Sequence, residues 1–151
     1  MTEKKGGSDM SIKQISAFVE NKPGKVFELF KTIADAGINI RAMNIADTKE
    51  FGVLRLIVEN TEKTKEVLGE DTIVITTEVI AVEMEDKSGA LCGILQVLAD
   101  AGINIEYAYA FTSPTARGAY TVLRVDKVQE AETALSQKGY VLLKQEDLAE
   151  L

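Results

Sequence analysis

Ala34-Asp35-Ala36-Gly37-Ile38-Asn39-Ile40 recurs letter for letter as Ala99-Asp100-Ala101-Gly102-Ile103-Asn104-Ile105, 65 residues further on. An identity of this length at a fixed offset marks an internal repeat, so the chain is read as two copies of one unit. The same offset carries Lys22-Pro23-Gly24 onto Lys87-Ser88-Gly89, and Val26, Leu29, Phe30 and Ile33 onto Leu91, Ile94, Leu95 and Leu98. Around Ser113-Pro114 the offset becomes 67, pairing Leu56 and Val58 with Leu123 and Val125, so the second copy has a slightly longer loop there. The reading gives a first domain over 12–77 and a second over 78–151, with almost no linker near Thr77-Glu78. Residues 1–11, polar and glycine-bearing, read as a flexible N-terminal extension without the apolar core of a signal peptide.

One reading serves both copies. Residues 12–20 are β-branched and aromatic with partial alternation, which predicts a strand. Val26, Leu29, Phe30 and Ile33 follow at i, i+3, i+4 and i+7, one face of a helix that Gly37 stops. Strands over 39–47 and 51–59 flank a turn at 48–50. A short helix runs from Thr61, its expected N-cap, to Leu68, and a fourth strand covers 71–77. The order β-α-β-β-α-β recurs over 78–145, with helices near 89–101 and 128–137. The fold class is therefore α+β: two tandem ferredoxin-like units, each an antiparallel sheet with both helices on one face. Leu54, Leu56 and Val58 face the helices, yet Val53 and Ile57 on the opposite face are also apolar. A face left to water should alternate to polar residues, so something covers it: the sister unit or a second chain, with a homodimer preferred.

Composition removes whole classes of chemistry. With no histidine and one cysteine, Cys92, the chain holds no Ser-His-Asp or Cys-His triad, no histidine-bearing zinc site and no disulfide framework of its own. No cofactor and no metal are expected. The lone thiol fits a cytoplasmic setting. Seventeen basic against 24 acidic residues give a formal charge of −7, which repels nucleic acid. No apolar run approaches the roughly 20 residues of a membrane helix.

Chemistry is left to the loop between the first strand and the first helix. It reads Glu20-Asn21-Lys22-Pro23-Gly24 in one unit and Glu85-Asp86-Lys87-Ser88-Gly89 in the other. A metal chaperone would need a Cys-x-x-Cys pair there, and neither copy has one. The loop does offer backbone N–H groups at the positive end of a helix, with glycine allowing close approach, and that suits a carboxylate. Asn21 or Asp86 can receive an ammonium group, and Asn39 or Asn104 stands at the start of the adjacent strand. Together these suit a zwitterionic amino acid. The structural alternative is that Asn21 and Asp86 only cap the helix and that Asn39 and Asn104 are turn residues after the glycine.

The succession strand, Asn-Lys-Pro-Gly, amphipathic helix, Ala-Gly-Ile-Asn-Ile, strand resembles the ACT domain, twice, over nearly the whole of Ile12 to Lys144. The resemblance implies a regulatory module that binds small ligands, most often amino acids, at interfaces between domains that commonly pair side by side. It places ligand contacts at Asn21, Pro23, Gly24 and Asn39 in the first unit and at Asp86, Ser88, Gly89 and Asn104 in the second. Val19 and Met84 stand where some serine-sensing members carry histidine, and Asp86 and Ser88 replace the loop asparagine and proline. The implied protein is a non-catalytic, free-standing, amino-acid-binding tandem ACT regulator, acting as a homodimer or with a metabolic enzyme. The alternative is a regulatory subunit docking on an amino-acid biosynthetic enzyme such as acetolactate synthase.

Three further features have structural readings. Tyr107, Tyr109 and Phe111 form a one-sided stripe read as packing in a core or a sheet interface. Cys92, on the first turn of a helix, is read as a small packed residue. The acidic residues, including Glu146, Asp147 and Glu150, are read as solvated surface.

Overall fold

The computed structural model describes residues 11–47, 51–113 and 118–151; the extension over 1–10, the turn at 48–50 and Pro114 lie outside them. The elements run β1 (Ile12–Glu20), α1 (Lys25–Asp35), β2 (Ile40–Asp47), β3 (Phe51–Val58), α2 (Thr61–Leu68) and β4 (Val74–Met84). They continue with α3 (Ala90–Asp100), β5 (Ile105–Phe111), β6 (Ala119–Val125), α4 (Val128–Gln137) and a 3-10 helix, Gln145–Glu150. One compact unit is Lys13–Thr77 and the other takes in Glu78–Leu151. Each is the α+β arrangement expected, with antiparallel pairing of β1 and β2 to β3 in the first and of β4 and β5 to β6 in the second.

Both helices of each unit lie on one sheet face because the apolar side chains leave no other choice. In the first unit Leu29 and Ile33 of α1 and Leu68 of α2 close over Ile15, Ala17, Val19, Leu54, Leu56 and Val58. In the second, Ile94 and Leu98 of α3 and Ala131 and Leu135 of α4 close over Ile80, Val82, Leu123 and Val125. Each fully buried aliphatic side chain contributes about 1.5–3 kcal/mol. Of the expected second-unit quartet, Leu91 departs and lies exposed at the start of α3. On the opposite face of β3, Ile57 is fully buried.

Both first helices end in the same glycine motif. Gly37 (φ 72°) and Gly102 (φ 71°) occupy the left-handed region. The next amide reaches back, Ile38 N–H to the Ile33 carbonyl at 3.3 Å and Ile103 N–H to the Leu98 carbonyl at 2.9 Å. This is the Schellman closure, and it explains why the Ala-Gly-Ile-Asn stretch is the best-kept part of the repeat.

Four expectations need correction. The fourth strand of the first unit does not stop at Thr77: β4 is one strand of 11 residues, Val74–Met84, because no glycine or proline interrupts its β-branched run. The N-cap of α2 is Asn60, not Thr61; the Asn60 side-chain oxygen accepts from the Lys63 N–H at 3.0 Å. The last strand of the second unit shrinks to a single bridge, Leu142 to Val82. There the Asp147 carboxylate accepts the Lys144 N–H at 2.9 Å and opens a 3-10 turn, a local bond that competes with the ladder. Cys92 is exposed rather than packed.

The aromatic stripe does lie on one face of β5. Tyr107, Tyr109 and Phe111 are half-buried there, and the Phe111 ring stacks on Tyr120 of β6 at 5.2 Å between centroids.

Candidate functional site

The two loops between first strand and first helix fold alike although two of five residues differ. In the first unit Lys22 N–H donates to the Glu20 carbonyl at 2.9 Å and Lys25 N–H to the Lys22 carbonyl at 3.2 Å. In the second, Lys87 N–H donates to the Glu85 carbonyl at 3.0 Å and Ala90 N–H to the Lys87 carbonyl at 3.3 Å. The backbone alone makes this turn, so Asn/Asp and Pro/Ser exchange freely at its exposed positions.

Each turn delivers the chain to its helix through a left-handed glycine. Gly24 (φ 86°, ψ −15°) is the N-cap of α1 and Gly89 (φ 87°, ψ −9°) that of α3, and neither helix has a side-chain cap. A Cβ built on either glycine meets nothing within 4 Å, so conformation and not crowding calls for glycine. Asn21 and Asp86 therefore do not cap their helices. Two uncapped helix N-termini stand open, each the positive end of a macrodipole.

Asn21, Pro23 and Gly24 come together in one exposed loop, and Asp86, Ser88 and Gly89 in the other. Asn39 and Asn104 do not join them within their own units. Each follows the far end of a helix of 11 residues, a span of about 16 Å. Asn104 is tied there through its backbone: its N–H donates to Asp126 Oδ1 at 3.0 Å and its carbonyl accepts the Asp126 N–H at 3.2 Å.

Charge at the loops is paired and local. Lys22 lies 3.1 Å from Glu20, and Lys87 lies 2.8 Å from Glu85. The hydrogen bond from the lysine, then its charge, hold each glutamate carboxyl below the usual carboxylate value, and Glu85 in turn raises Lys87. Among the described residues no cluster of three or more His, Cys, Asp or Glu side chains could hold a metal ion, and no helix is long and apolar enough to cross a membrane.

A groove opens beside each tip. In the first unit a cavity of about 630 Å³ runs from Glu20 and Lys25 along α1 to the turn Asp71-Thr72-Ile73, with Phe51 at its rim. In the second a cavity of about 420 Å³ runs from Glu85 and Lys87 to the turn Lys138-Gly139-Tyr140, with Gly118 in the place of Phe51. Sequence reasoning passed over these turns. The signal was present, since the offset of 67 sets Asp71-Thr72-Ile73 against Lys138-Gly139-Tyr140, but nothing local marks them as groove walls.

Comparison with curated proteins finds no match to this chain. Among solved structures it is similar to protein BT0572 from Bacteroides thetaiotaomicron, at 34% identity and a TM-score of 0.86 over 94% of this chain and 98% of that one. It is also similar to the ligand-free regulatory subunit of aspartate kinase from Thermus thermophilus, at 18% identity and a TM-score of 0.62 over 86% and 92% of the two chains. The regulatory subunit of aspartate kinase from Thermus flavus aligns at 17% identity and a TM-score of 0.60 over 85% and 90%. At those two identities the likeness is one of fold. The family model of an ACT domain pair matches residues 10–151, and the chain, with its two βαββαβ-like units, belongs to the ACT domain pair family.

Proposed function

We propose that this ACT domain pair is a non-catalytic regulator that binds a free amino acid at its helix tips. The observation that carries the reading is that α1 and α3 both start at an open left-handed glycine with no side-chain cap, at the head of a groove. Free amides at the positive end of a helix suit a carboxylate, and the exposed oxygens of Asn21 or Asp86 suit an ammonium group. Asn39 or Asn104 would then contribute from a second copy of the chain, since neither reaches the loop of its own unit. The edge strand β2, where Met43 and Ile45 are exposed, supports association with a second copy. Ligand binding would shift the population of dimer or partner states by its differential affinity for them.

Thermal-shift scans against the common amino acids test the reading. A ligand at about 100 times its dissociation constant stabilises the bound form by about 2.7 kcal/mol, a clear rise in melting temperature. A folded protein that responds to no amino acid at millimolar concentration overturns it.

A further inference from the structure

The two grooves occupy equivalent places but are built from unlike residues. On the helix wall Glu28 of the first unit corresponds to Gly93 of the second, and in the turn opposite, Ile73 corresponds to Tyr140. Tyr140 lies across α3 so closely that a Cβ on Gly93 would stand 2.8 Å from its hydroxyl, and it packs against the second core. Ile73 instead is 67% exposed, and the first groove stays the larger of the two.

Charge differs as well. The first groove is lined by Glu20, Glu28 and Asp71 against Lys25, the second by Glu83 and Glu85 against Lys87 and Lys138. In the first, Glu20 is paired to Lys22 at 3.1 Å and Glu28 to Lys25 at 3.5 Å. Asp71 forms no ion pair among the described residues, and the position equivalent to it carries the opposite charge, Lys138. Beside Asp71 stand the exposed apolar side chains Phe18, Phe51 and Ile73. A carboxylate beside these apolar side chains, in a net-acidic groove, complements a molecule with an ammonium group on an apolar body.

We propose that the groove of the first unit selects such a molecule, its ammonium at Asp71 and its apolar body against Phe51 and Ile73. The groove of the second unit, narrowed by Tyr140 and bearing Lys138, does not take it. The ammonium and apolar parts of this assignment stand on the groove alone; only the placing of an amino acid's carboxylate at the α1 tip rests on the regulator reading.

Calorimetry on the full chain with phenylalanine, 2-phenylethylamine and 3-phenylpropionate separates the parts. The expected result is one site per chain for the two ammonium compounds and much weaker binding of the acid that lacks the ammonium. Asp71→Asn should weaken the two amines by about three- to ten-fold, the range of a partly exposed charge pair, and Lys138→Asn should leave them unchanged. Circular dichroism confirms that both variants fold. Equal binding of 3-phenylpropionate, two equal sites per chain, indifference to Asp71→Asn, or no binding at all would each overturn the assignment. Binding of 2-phenylethylamine with no response to any amino acid would retain the groove and sink the regulator reading. Amino-acid binding that ignores Asp71 and apolar side chains would do the reverse.

Discussion

In the first unit the turn before the fourth strand sets Ile73 out in solvent beside a glutamate-bearing helix; in the second the same turn lays Tyr140 across a helix made bare by Gly93. The difference lies in the side chains and in the turn itself, where Gly139 is left-handed (φ 86°) and its equivalent Thr72 is not. The backbone turn into α1 and α3, the glycine torsions at both ends of those helices and the aliphatic layer beneath them are shared almost to the degree. Divergence between two copies of a unit has spared what the fold needs and collected where a small molecule could be told from another.

That division can be broken or sharpened by paired substitutions. Leu56 and Leu123 are fully buried at equivalent positions of the two cores. Leu56→Ala and Leu123→Ala should each cost about 2–5 kcal/mol in denaturant unfolding; a large inequality would show that the two cores are not equivalent supports. Next in size is a position where the copies disagree. A Cβ on Gly118 would overlap the Met84 carbonyl oxygen and lie 3.0 Å from the Asp86 amide, both backbone atoms that cannot swing aside. Gly118→Ala should cost about 1–3 kcal/mol. The partner change Phe51→Ala, at a rim side chain 47% exposed, should fall nearer about 0.5 kcal/mol.

A smaller contrast lies at the second helices. Asn60 caps α2 through its side chain, whereas Lys127, its equivalent, gives α4 no side-chain cap. Asn60→Ala should cost about 1 kcal/mol and Lys127→Asn should gain a similar amount; no gain would mean that the extended start of α4 cannot hold the capping geometry.

The smallest effect should be the same in both units. A glutamate held below its ordinary value contributes stability that is present above the unfolded value and fades as pH falls through the folded one. Lys22→Met should raise the titration midpoint of Glu20, and Lys87→Met that of Glu85, toward 4.5. Carboxyl chemical shifts followed against pH report both, and a shift in only one loop would break the likeness of the two.

How far the sequence discloses this depends on the reach of the interaction involved. The apolar quartet of α1 and the Gly37 and Gly102 closures are set within seven residues of chain, and local spacing reveals them. Leu91 and Cys92 are misread because periodicity assigns a helix face but not how far the neighbouring sheet extends over the first turn. Asn60 is misread because Thr61 has an equally good side chain and only the backbone torsions choose between them. At the site, the glycine tips are legible as Pro-Gly and Ser-Gly before an apolar run. The grooves are not, since Asp71, Ile73, Lys138 and Tyr140 meet α1 and α3 only after 35 or more intervening residues have folded. The separation of Asn39 from Gly24 follows from the direction of a helix, which adjacency in the strand order does not convey.

An unfilled first turn has a kinetic meaning as well. Asn60 supplies α2 with the acceptor that its leading amides lack, but α1 and α3 have no such residue and should open more readily at that end. A carboxylate bound at α1 would fill the vacancy from outside, so that occupancy would register first as slowed deuterium uptake at Val26 and Phe27, ahead of any change in assembly.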